Sequence, residues 1–131
     1  MSSGKVHRNI TLLAVPVTIG TALYLGGGLP GASQAAAGCI AAIWINPDLD
    51  LNYGPLLLRV LFWPYRRFIP HRSIFSHGPI IGTIGRIAYV YGLVLLLCAV
   101  FGWPLVSLGD CPWLCVALMF CDLLHSVADC F

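Results

Sequence analysis

Apolar residues fill most of this chain, and the polar interruptions between the apolar blocks are short and differ in kind. Residues 10–47 contain no Asp, Glu, Lys or Arg, and a second uncharged stretch covers residues 87–109. Each exceeds the roughly 18 apolar residues that a membrane-spanning helix needs. Gly26-Gly27-Gly28-Leu29-Pro30-Gly31 interrupts the first stretch. Neither a glycine run nor proline sustains a helix, so the pattern predicts a tight hairpin joining helices at residues 10–25 and 32–44. The second of these is rich in small residues (Ala35, Ala36, Ala37, Gly38, Ala41, Ala42), which let packed helix backbones approach closely. Both segments are short, which leaves a re-entrant or interfacial hairpin open beside two full crossings.

The character changes at residues 46–79, where five prolines and four arginines (Arg59, Arg66, Arg67, Arg72) surround a short amphipathic piece at residues 56–63. This stretch reads as a loop on a membrane surface containing a short interfacial helix, with Trp63 and Tyr65 as interfacial anchors. A third long helix is predicted at residues 80–101 and a fourth at 113–129, joined by a turn at 102–112. The expected fold is all-α: one domain over residues 1–131, a multi-pass membrane bundle of about four apolar helices.

Composition strengthens the membrane reading. The chain is 59% hydrophobic and 9% charged, whereas soluble domains average about a quarter charged. Because the apolar character persists to the end of the chain, the first block reads as a resident helix rather than a cleaved signal. A net charge of +2 without a basic run argues against a nucleic-acid partner. Lys5 and Arg8 precede the first helix and four arginines lie in the central loop, while the two turns on the other side carry no positive residue. The excess of positive charge therefore puts both termini and the central loop in the cytoplasm, with Arg86 able to snorkel back to that side. The six cysteines include no Cys-x-x-Cys pair. Only Cys111 and Cys115, which flank a turn, are placed where pairing is conceivable.

This topology brings the rare polar residues together. His7 precedes the first helix, Asp48 and Asp50 follow the second, His71 and His77 close the loop, and His125 and Asp129 end the fourth helix. Imidazoles and carboxylates from four segments thus meet at one face, as in metal sites built between facing helices. Asp122, His125 and Asp129 follow i+3 and i+4 steps and form one stripe. A carboxylate in so apolar a helix must face the interior, pair, or bind a cation. Two carboxylates in Asp-Leu-Asp repel each other unless a cation lies between them. Mixed imidazole and carboxylate suits zinc first, with manganese or iron as alternatives. More candidates than a mononuclear site needs leave one or two ions open.

A divalent-metal site of this kind can activate water and polarise a phosphoryl or acyl oxygen. The sequence has no glutamate, so a proton carrier must be an aspartate or histidine, and Asp50 and His77 are the catalytic candidates. Arg72, beside His71, is the candidate clamp for an anionic substrate, ahead of Arg66 and Arg67. Ser73 and Ser76 lack a nucleophile elbow, and the triple glycine lacks the lysine of a phosphate-binding loop.

The linked motifs resemble a family of uncharacterised bacterial membrane proteins, frequent in cyanobacteria and described as metal-binding. The resemblance is carried by Ser3-Gly4-Lys5-Val6-His7, Asn46-Pro-Asp-Leu-Asp50, Pro64-Tyr-Arg-Arg67, His71-Arg-Ser through Ser76-His77-Gly-Pro, and His125 to Asp129. More distantly, the His-Arg-Ser, Asp-x-Asp and His-x-x-x-Asp patterns are similar to those of inner-membrane metal-dependent hydrolases, and beyond them to zinc-dependent phospholipase C and single-strand nuclease folds. The resemblance implies an inner-membrane location. Two features depart from it: family members continue past the C-terminal His/Asp motif, so the chain is expected to be short or truncated, and the residue at the place of Asp122 is usually small, which sets Asp122 apart from the ligands.

The expectation is a metal-dependent hydrolase of a phosphoester, a lipid phosphoester included, at the cytoplasmic face of the bilayer. The competing class is a non-enzymatic subunit whose metal or His/Asp cluster fastens helix ends and whose apolar faces dock on other membrane proteins. Transport through the Asp122 stripe is the weakest reading, since no second charged helix is expected to cross the core.

Overall fold

The computed structural model describes residues 4–45, 55–70, 73–78, 80–105 and 107–128; the side chains of residues 4–7, 76 and 77 are outside that description. The described chain is helical, with no strand among the described residues. Seven α-helices follow in order: α1 (Gly4–Tyr24), α2 (Gly28–Ala42), α3 (Leu56–Leu61), α4 (Trp63–Phe68), α5 (Ile74–His77), α6 (Ile81–Phe101) and α7 (Pro112–Ala128), with a 3-10 turn at Leu108–Asp110 before the last.

The apolar blocks become the four long helices with shifted starts. The hairpin is tighter than the glycine–proline cluster predicts: the chain reverses over residues 25–27, with Gly26 left-handed at φ 82°, and α2 already includes Leu29, Pro30 and Gly31. Pro30 belongs to the first turn of α2, where a missing N–H costs nothing because it would have no helical partner. The amphipathic piece predicted at residues 56–63 is bent at Phe62 into α3 and α4. Tyr65 is no interfacial anchor. It is 3% exposed, packed with Phe62 under α6, whereas Trp63 does face outward.

The centre of the fold is the α1–α2–α7 trio, to which α6 adds along α7. Apart from Leu118, its core is made of small side chains (Ala14, Ala22, Ala35, Cys39, Ala42, Ala117, Cys121), so the helices approach closely. At Gly38 a Cβ would stand 2.6 Å from the Leu114 carbonyl oxygen and 2.8 Å from the Ala117 Cβ. Gly38→Ala is therefore expected to wedge α2 from α7 and cost about 1–3 kcal/mol. Gly20→Ala, which meets nothing within 4 Å, is expected to be neutral or to stabilise by up to about 1 kcal/mol. Unfolding midpoints in detergent compare the two; equal effects would mean that α2 and α7 are not in close contact.

Of the long helices, α6 alone among the described residues is both long and apolar enough to cross a bilayer by itself. α1 has 21 residues, but Lys5, His7, Arg8 and Asn9 make its first turns polar. α2, with 15 residues, spans roughly 22 Å at 1.5 Å per residue, short of a hydrocarbon core of roughly 30 Å. α7 is apolar but also short. Cys111 and Cys115 are both free thiols, as are Cys39, Cys98 and Cys121.

Candidate functional site

Helix register decides which ends meet. Thr18 Oγ1 lies 3.2 Å from Cys39 Sγ and the Gly27 N–H donates to the Ala22 carbonyl, so α2 runs back along α1. Trp113 covers Gly27 and Gly31, Leu114 and Ala117 meet Gly38, and Cys121 Sγ lies 3.6 Å from Cys39 Sγ, so α7 runs parallel to α2. Gln34 fixes this register from the side, donating to the Asp110 carbonyl at 2.9 Å and accepting from the Trp113 N–H at 3.3 Å. The start of α1, the end of α2 and the end of α7 therefore share one end of the trio. α6 enters at the same end, because Thr83 and Arg86 in its first turns reach Asp122. α5 precedes it with only residues 78–80 between.

His7 thus lies in the first turn of α1, His77 is the last residue of α5, and His125 lies in the last turns of α7. Asp48, Asp50, His71, Arg72 and Asp129 lie outside the described residues, as do the side chains of His7 and His77. His125 is the one candidate ligand whose side chain is described, and it is 4% exposed. No group of three His, Cys, Asp or Glu side chains able to hold a metal occurs among the described residues.

Asp122, one turn before His125, has its own partner. Its Oδ2 accepts from Arg86 Nη2 at 2.5 Å and from the Thr83 hydroxyl at 2.7 Å, while its Oδ1 is buried with no hydrogen-bond partner among the described residues. Arg86 does not snorkel: it is 1% exposed and turned inward. The expectation that no second charged helix reaches the core is overturned by the same contact. Thr83 and Arg86 are the polar residues that sequence reasoning missed. Their i, i+3 spacing on one face of α6 was the available signal, and an equal and opposite charge waited on another apolar helix.

The donor set fits a divalent ion in kind. Imidazole and carboxylate are borderline-to-hard ligands, and the described segments that carry or immediately precede them end together. Asp122 fits less well as a ligand, since the charge of its carboxylate is already balanced by Arg86 through Oδ2. Elsewhere, Arg66 donates to the Arg59 carbonyl.

Comparison with known proteins bears on the metal directly. The sequence pattern of one family, described as "Uncharacterized metal-binding protein (DUF2227)", matches residues 2–117. That stretch includes His7, Asp48, Asp50, His71 and His77, and it ends before Asp122, His125 and Asp129. Neither comparison with curated proteins nor comparison with solved structures gives a match. Since the matched stretch takes in all but the start and the last part of the sequence, the chain belongs to the metal-binding protein family DUF2227.

Proposed function

We propose that this protein is a multi-pass membrane protein holding one or two divalent ions, zinc first, at the cytoplasmic face, where it hydrolyses a phosphoester, a lipid phosphoester included. The reading rests on one observation: in a chain of a metal-binding family, the start of α1, the end of α2 and the end of α7 gather at one end with an imidazole, His125, buried there. His7, Asp48, Asp50, His71, His77, His125 and Asp129 are the proposed ligands. An ion held there supplies Lewis acidity toward water and a phosphoryl oxygen. Asp50 and His77 take and return the proton, and Arg72 binds the anionic oxygens of the substrate.

Membrane embedding draws on the outward faces of the long helices. Leu13, Val17, Ile40, Val100, Leu123 and Val127 are all exposed, apolar surface that a bilayer would cover. The inner membrane and cytoplasmic orientation draw on the placement of the basic residues. A second reading, a non-enzymatic subunit, draws on the Arg86–Asp122 contact, in which polar side chains of two helices pair with each other.

Metal analysis of protein purified in mild detergent with zinc or manganese present, followed by a phosphatase and phospholipase panel, separates these readings. The proposal expects stoichiometric metal, its loss in His71→Ala and Asp50→Ala, and turnover of a phosphoester. Metal without turnover favours the subunit. Metal-free protein would sink both.

A further inference from the structure

α3 and α4 are pinned on one side and bare on the other. Phe62 and Tyr65 pack on Tyr89 of α6 with ring centroids 5.5 and 5.4 Å away, and the Tyr89 hydroxyl donates to the Leu61 carbonyl at 2.6 Å. This docking fixes which face looks outward. On that face Leu56, Leu57, Val60, Trp63 and Phe68 are 62% to 82% exposed, interleaved with Arg59, Arg66 and Arg67. Leu56, Arg59, Val60, Trp63 and Arg66 line one recess. The Arg66 guanidinium reaches back to donate to the Arg59 carbonyl, which brings the two arginines to the same hollow.

We propose that the Arg59–Arg66 recess seats the phosphate of an anionic phospholipid, with the exposed apolar side chains of α3 and α4 sunk among the acyl chains. Guanidinium groups match phosphate oxygens in a planar, paired geometry. The surrounding leucine, valine and tryptophan surface fits the boundary between headgroups and hydrocarbon. A free phosphate would leave that surface in water. The inference rests on the membrane reading above and uses none of the proposed metal ligands.

The test is native mass spectrometry of the full-length protein in mild detergent, titrated with phosphatidylglycerol, phosphatidylcholine or inorganic phosphate. Phosphatidylglycerol is expected to bind about 25-fold more tightly than phosphatidylcholine, at about fivefold for each of the two arginines engaged. Arg59→Gln and Arg66→Gln should each remove about fivefold. Arg67→Gln, an equal loss of charge outside the recess, should change binding less than about twofold. Equal losses in all three variants, no preference for phosphatidylglycerol in the wild type, or inorganic phosphate binding as tightly as the lipid would each overturn the seat. Embedding is read separately by alkaline carbonate extraction of native membranes. Protein released by carbonate refutes the membrane reading, whereas protein that stays but shows no lipid preference refutes the seat alone.

Discussion

Arg86→Ala is expected to destabilise the bundle by about 3–5 kcal/mol, and replacing both partners, Arg86→Met with Asp122→Leu, to restore most of that loss. Both side chains are almost wholly buried, 1% and 3% exposed. Without the guanidinium, the carboxylate keeps only the Thr83 hydroxyl on Oδ2, and Oδ1 already has no hydrogen-bond partner among the described residues. A buried charge left this way loses the Coulomb attraction that offsets its desolvation. Asp122→Asn should be harmful too, because it removes the negative charge that Arg86 Nη2 contacts. In the double replacement both charges disappear, and the Thr83 hydroxyl can turn to a carbonyl of its own helix. The comparison is made by denaturant or thermal unfolding in detergent, followed by circular dichroism. A wild-type midpoint for Arg86→Ala would show that the pair carries none of the attachment of α6 to α7.

That pair also marks where the sequence stops being legible. Helix breaks read well in place if not in extent, because glycine acts locally: the first reversal falls at left-handed Gly26 and α6 ends at left-handed Gly102. Pro30 misled because proline disrupts a helix only beyond its first turn, and where α2 starts depends on Trp113 packing over Gly27 and Gly31 from a distant part of the chain. Tyr65 misled because tyrosine suits both an interface and a core, and Tyr89, which decides between them, is remote in sequence. An arginine near the end of an apolar helix has two ways to satisfy its charge, snorkelling or pairing. Only the register of α6 on α7 chooses pairing. The inward turn of Asp122 and His125 was legible because i, i+3 spacing in an apolar helix leaves polar groups one acceptable face. The ligands proposed for the central loop have no such periodicity to report where they point.

His125→Gln is expected to lower the affinity for zinc by at least about 10- to 100-fold while leaving the metal-free protein folded. Glutamine keeps a polar side chain of similar size at the buried position but offers a weak neutral oxygen or an amide in place of an imidazole nitrogen. Arg86→Met with Asp122→Leu should instead spare the metal, since the Asp122 charge is balanced by Arg86 and Asp122 is not among the proposed ligands. Zinc titration followed by competition with a chelator reads affinity, and circular dichroism of the metal-free variants reads the fold. The family match gives the experiment its edge. It ends at residue 117, so a site built only from His7, Asp48, Asp50, His71 and His77 would lie wholly inside it, and such a site would ignore His125→Gln. Undiminished zinc binding in that variant would therefore move the ion off α7 onto the start of α1 and the central loop. Loss of zinc with the fold intact would tie the ion to the one proposed ligand whose burial the structure describes.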